Sequence, residues 1–208
     1  MAGWGLRISG VALLVSLPFY LLVRGALLAS AAWGWNEWLA VVFGALLAAL
    51  AASGIGWWAQ RKLGLEICFR ALATRAVLPA VAVFCALSLL HLSRSNAKSP
   101  QVQSAWATLH PALRLAVGTL RLVDGRIVLT EIERGPASYA AMRLPRPVHS
   151  YHYRQRDGTV HAIDLRTDDR GALRNGLVRL YFELLGFETI RHVGTADHLH
   201  VRLPELHG

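Results

Sequence analysis

Hydrophobic positions are distributed unevenly along the chain. Three long apolar stretches fill its first part: Ile8 to Val23, continuing past Arg24 through Gly25–Trp33; Trp38 to Trp58; and Ala76 to Leu92. A helix crosses a bilayer with about 17–25 apolar residues. The second stretch fits well and the third is near the minimum. The first reaches that length if Arg24 lies at or snorkels to an interface. Pro18, Gly44 and Pro79 are tolerated in such helices, and Trp33, Trp35, Trp38, Trp57 and Trp58 fall at the expected ends, where amphipathic rings favour the headgroup region. The first stretch also has signal-peptide features, Arg7 before an apolar core and Ala29-Ser30-Ala31 after it. With two further spans behind it, an uncleaved helix is the preferred reading.

Beyond residue 93 the pattern becomes that of a globular domain. Residues 94–103 are polar with Pro100 and read as a linker. Ala105–Val123 has helical spacing, with Pro111 starting or kinking the helix. Asp124-Gly125 is a turn and Arg126–Ile132 a β-branched strand. Residues 135–149 read as a loop with room for a short helix. Tyr151–Arg154 and Thr159–Arg166 flank Arg156-Asp157-Gly158, a hairpin signal. Asn175–Leu185 is amphipathic and stops at Gly186. Phe187–Val193 and His198–Leu203 read as strands. The expectation is a three-helix transmembrane region over 1–93, a linker over 94–103 and an α+β domain over 104–208.

Charge sharpens this division. The chain has 208 residues and a formal net charge of +9. Residues 1–93 hold only six basic residues (Arg7, Arg24, Arg61, Lys62, Arg70, Arg75) and two acids (Glu37, Glu66). A wholly soluble enzyme and a disordered chain are excluded. Cys68 and Cys85 both lie in the membrane part, so the later domain has neither a disulfide framework nor a thiolate metal site. Its basic residues are interleaved with acids rather than clustered, which argues against nucleic-acid binding. The segment 60–75 carries four basic residues and one acid, whereas the region around 24–37 carries only Arg24 and Glu37. The positive-inside rule places 60–75 and the N-terminus in the cytoplasm and the chain after Leu92 outside. In a bacterium this is the inner membrane, with a periplasmic or wall-side domain.

Eight of the nine histidines follow residue 94. They form three groups: His149 and His152; His161 with Asp164; and Asp197-His198-Leu199-His200. A His-x-His on a strand points both rings to one face, suiting one metal ligand and one catalytic neighbour. Two histidines and an aspartate supply three ligands to zinc and leave a fourth position open. A solvated strand face would explain a lone His-x-His, but not the His and Asp upstream.

Ser150-Tyr-His152-Tyr, Ala162-Ile-Asp164-Leu and Asp197-His-Leu-His200-Val-Arg-Leu resemble the zinc superfamily of D,D-carboxypeptidases, penicillin-insensitive murein endopeptidases and the hedgehog signalling domain. Leu109-His-Pro, Ile127-Val-Leu-Thr-Glu-x-x-Arg134 and Gly186-Phe187 fit the same pattern. The resemblance covers about residues 104–204. It implies zinc ligands His152, Asp164 and His200. Asp197 stands where carboxypeptidase members place a general-base carboxylate, and His198 where endopeptidase members place a catalytic histidine. Arg134 is implied to face substrate carboxylate or carbonyl groups. One departure stands out: eleven residues separate His152 from Asp164, where the family usually has six. A longer hairpin absorbs the difference. His161 is the rival ligand and His149 a weaker reserve, although at odd spacing on a strand His161 and Asp164 point to opposite faces. Strand geometry likewise puts His198, ahead of Asp197, on the face of His200. The implied activity is zinc-assisted hydrolysis of peptidoglycan stem peptides or cross-links. The alternatives are an inactive zinc-binding module and a membrane-anchored structural or assembly factor.

Overall fold

The fold is taken from a computed structural model that describes residues 2–65, 68–135, 139, 147–194 and 197–204, with backbone alone for residues 2–9. Most of the expected 135–149 loop lies outside the described residues. The chain forms two compact units, Met1–Leu87 and Ser88–Gly208.

The first unit is helical. α1 spans Ala2–Trp33 and α2 spans Glu37–Lys62. α3 (Phe69–Leu72) passes through a π-helical turn, Ala73–Val77, into α4 (Leu78–Leu90). Three segments are long and apolar enough to cross a membrane: Gly10–Trp33, Glu37–Lys62 and Phe69–Leu90. The third starts seven residues before the expected Ala76, so Arg70 and Arg75 belong to a helix rather than a loop. Asn36 caps α2 by accepting the Trp38 N–H at 3.0 Å. Gly64, at φ +72°, ends α2: its N–H bonds the Arg61 carbonyl, and the Leu65 N–H bonds that of Gln60. α1 and α2 pack through small residues. A Cβ at Gly44 would lie 2.2 Å from the Leu22 carbonyl oxygen, so only glycine permits that approach.

The second unit contains α5 (Pro100–Ser104), α6 (Pro111–Val123), β1 (Leu129–Glu131), β2 (Ala162–Arg166), α7 (Ala172–Leu185), β3 (Glu188–His192) and β4 (His198–Arg202). The strands form an antiparallel sheet in the order β1-β2-β4-β3. Ile163, Leu165, Leu199 and Val201 point to one face and are buried. Asp164, Arg166, His198 and His200 alternate with them onto the other face. Gly186, at φ +94°, closes α7 as its position predicts. The Tyr181 hydroxyl donates to the Ala116 carbonyl at 2.7 Å and ties α7 to α6.

Two expectations are revised. The polar stretch 94–103 is built into the fold. The buried Asn96 amide donates to the Gly125 and Ile127 carbonyls at 2.9 and 2.8 Å, Ala97 bridges Leu129, and Ser99 caps α5. Polar side chains there satisfy backbone groups that a hydropathy pattern does not reveal. The hairpin around Asp157-Gly158 is also less regular than expected: the bridge Arg154↔Val160 and the bonds from the Gln155 N–H to the Thr159 carbonyl and from the His161 N–H to the Tyr151 carbonyl join its arms, and the named strand β2 begins at Ala162. His152 therefore sits in a turn, not on a strand.

Candidate metal centre

The sheet register brings the first two site residues together. Asp164 on β2 pairs directly with His200 on β4, and His200 Nδ1 lies 2.8 Å from Asp164 Oδ1. His152 arrives from the 150–153 turn and is fixed on several sides. Its N–H donates to Ser150 Oγ at 3.2 Å, and its carbonyl accepts the Arg134 N–H at 3.0 Å. Its Nδ1–H donates to the Ile132 carbonyl at 2.7 Å. That bond assigns the ring proton to Nδ1 and leaves the Nε2 lone pair for the interior of the site. His152 Nε2 is 3.3 Å from both Asp164 Oδ1 and His200 Nδ1.

These three atoms fit a divalent metal. Ligands of a tetrahedral zinc, each about 2.0–2.1 Å from the ion, stand about 3.3 Å apart. Two of the three separations match this value, and the shorter His200–Asp164 contact is a hydrogen bond that a cation would replace. Burial disfavours the Asp164 carboxylate charge. Hydrogen bonds with His152 and His200, together with the charges of His152 and His198, outweigh it and hold Asp164 well below the usual carboxylate range. Asp164 is thus ionised, as a ligand must be. Its second oxygen accepts from Arg134 Nη2 at 3.2 Å, and Arg134 Nε reaches Glu131 at 3.4 Å. A β1–β2 register irregularity sets Glu131 opposite Asp164.

His198 stands beside the cluster, its Nε2 3.8 Å from Asp164 Oδ1. Asp197 is turned elsewhere. Arg191 grips both its oxygens at 2.8 and 2.7 Å, the Thr167 hydroxyl donates to it at 2.6 Å, and these bonds push its carboxyl down to about 2. It lines a cleft of about 370 Å³ together with Asp164, Arg134, Lys98, Arg166 and His198.

His161 does not join Asp164. Its Nε2 bonds Asp157 Oδ2 at 2.7 Å, and its ring packs edge-on against His110 with centroids 5.3 Å apart. His149 is exposed and lies outside the cluster. His110, Asp157 and His161 form a second close group of ligand-type atoms. Here the tautomer is unfavourable. The Ala112 N–H donates to His110 Nδ1 at 3.2 Å, so the neutral ring carries its proton on Nε2 and offers a metal no lone pair. Burial, then His161, pushes His110 down to about 3 and keeps it neutral. Sequence reasoning also missed His192, which pairs across the sheet with His198. Its signal was the short Phe187–Leu203 hairpin, which sets the two histidines opposite each other. The chain matches no protein-family model, no curated protein and no solved structure.

Proposed function

We propose that the Ser88–Gly208 unit is a zinc-dependent peptidase acting on peptide bonds of peptidoglycan. The observation that carries this reading is the convergence of His152 Nε2, Asp164 Oδ1 and His200 Nδ1, with a further histidine and a cleft beside them. When bound at these atoms, zinc supplies Lewis acidity to a scissile carbonyl and to the attacking water. The residues do the rest. Arg134 holds Asp164 in place and presents a guanidinium to the cleft, where it faces the carbonyl or carboxylate of the substrate. His198 takes the proton of the attacking water and delivers it to the leaving nitrogen. The water oxygen bonds to the carbonyl carbon, the C–N bond breaks, and one carboxylate and one amine result. Asp197 is engaged by Arg191 and Thr167, so His198 ranks ahead of it as the proton carrier.

That engagement of Asp197 also favours a second reading, a zinc module without activity, because the position of a general-base carboxylate is taken up. Purified full-length protein in detergent, assayed for metal content and for mass changes in soluble muropeptides, separates the two. The peptidase reading predicts about one zinc per chain and an added 18 Da across a cleaved amide. His198→Ala is expected to lower turnover by about 10²–10⁴-fold with zinc retained. Full zinc content with no cleavage of any muropeptide leaves the zinc module; absence of bound zinc overturns both.

A further inference from the structure

We infer that His192 is a positioning residue that stacks on His198 and aims its imidazole at the Asp164 carboxylate; this rests on the peptidase reading above. His192 and His198 are register partners on β3 and β4. Their rings lie 4.7 Å apart between centroids with an interplanar angle of 24°, a stacked arrangement. Among the described residues most aromatic pairs meet edge-on, including His152 with His200 at 61°. Offset stacking is one of the arrangements the ring quadrupoles favour, and it lays a flat neighbour along one face of the His198 ring.

The ring plane matters for His198. Its Nε2 points at Asp164 Oδ1 from 3.8 Å, on the same strand face as His200. A rotation about the Cβ–Cγ bond would swing that nitrogen away from the ligand cluster. His198 lines the cleft and is only partly exposed there, so where Nε2 points is decided by the orientation of the ring. His192 covers one side of it and also touches the His200 ring edge-on at 6.3 Å. The edge strand thus supports two rings of the site without offering a ligand atom to the three-atom cluster. Holding a proton carrier in a productive orientation acts on the chemical step rather than on substrate affinity.

The test compares His192→Ala and His192→Phe in the full chain, in detergent micelles with ¹³C-labelled histidine. Phenylalanine keeps the flat face and cannot carry a proton. His192→Ala is expected to lower kcat on a soluble muropeptide about 10-fold, with KM and zinc content unchanged, and to remove the ring-current shift of the His198 ring protons. His192→Phe is expected to restore both the shift and most of kcat. Three results would overturn the inference: a wild-type kcat in His192→Ala; a His192→Phe variant no better than alanine, which would make His192 a proton carrier; or loss of zinc in either variant. A wild type that binds zinc and hydrolyses nothing, with the ring-current shift intact, sinks the peptidase reading alone. The stack would then stand as a device orienting His198.

Discussion

His152 and His161 are nine positions apart, and each offers an imidazole to the same stretch of sequence. What separates them is the partner of each ring. The His161 Nε2 is taken by Asp157, whereas the His152 ring is locked by the Ile132 carbonyl with its free nitrogen turned to Asp164. An outer partner of this kind costs about 10–100-fold in metal affinity when lost, and the ligand itself costs more. His152→Ala and His200→Ala are therefore expected to lose bound metal, while His161→Ala keeps it, as measured by inductively coupled plasma mass spectrometry on dialysed protein. Retention in His152→Ala together with loss in His161→Ala would show that the wrong imidazole has been assigned. The choice between the two was legible in the sequence through the Ser150-Tyr-His152 motif and through strand parity, which sets His161 and Asp164 on opposite faces. The role of Ile132 was not legible, because a backbone carbonyl has no residue signature. The same applies to Asp197: its place three residues before His200 suggests a base through the family resemblance, and only the fold shows Arg191 reaching across to hold it.

The elements were read best where one period dominates. α7 and its glycine stop follow from an apolar stripe and a left-handed cap, and β4 follows from strict alternation. The 94–103 stretch was read least well, since Asn96 and Ser99 act through hydrogen bonds that no hydrophobic pattern encodes. The start of α6 was visible as His110-Pro111, but not the state of His110. As the cap of α6 its Nδ1 must accept, and burial with His161 beside it brings it down to about 3 from an ordinary 6.5. The unfolded chain then binds a proton that the folded one refuses. His110 therefore favours folding fully above pH 6.5, and this contribution is lost as the pH falls towards 3. The slope approaches about 1.4 kcal/mol per pH unit. His110→Asn retains a capping acceptor and removes the titration. The free energy of opening of the α6 amides, from hydrogen exchange, is expected to fall by up to about 2–3 kcal/mol more in wild type than in His110→Asn between pH 6.5 and 4.5. That window lies above the range where Asp157 and Asp124, both lowered from the ordinary carboxylate value, lose their ion pairs. Parallel pH profiles in the two proteins would mean that His110 is not held neutral.

For the whole molecule, the proposed substrate stands or falls with the side of the membrane on which the second unit lies. α1 and α2 are joined by three residues, 34–36, and α2 and α3 by six, 63–68. Arg61, Lys62, Arg70 and Arg75 flank the second of these turns, whereas the first has Glu37 beside it and Trp33, Trp35 and Trp38 around it. Trp33 and Trp35 pack against Phe43 with centroids 5.4 and 5.5 Å away, an aromatic cluster suited to a headgroup layer. Lys and Arg near the ends of short loops are retained on the cytoplasmic side during insertion. In the topology proposed on that basis three spans return the chain to the outside; the third candidate span ends at Leu90, and the second unit begins at Ser88. Alkaline phosphatase, which folds only outside the cytoplasm, is expected to be active when fused after Ser95 and after Gly208, and inactive after Gly64. The reverse pattern would put His152, Asp164 and His200 in the cytoplasm. Peptidoglycan would then be out of reach, and a metal centre with this donor set would need a cytoplasmic substrate or a purely structural role. Because the ligand geometry is a property of the second unit alone, metal binding would survive that result. The fusion experiment therefore tests the substrate independently of the metal.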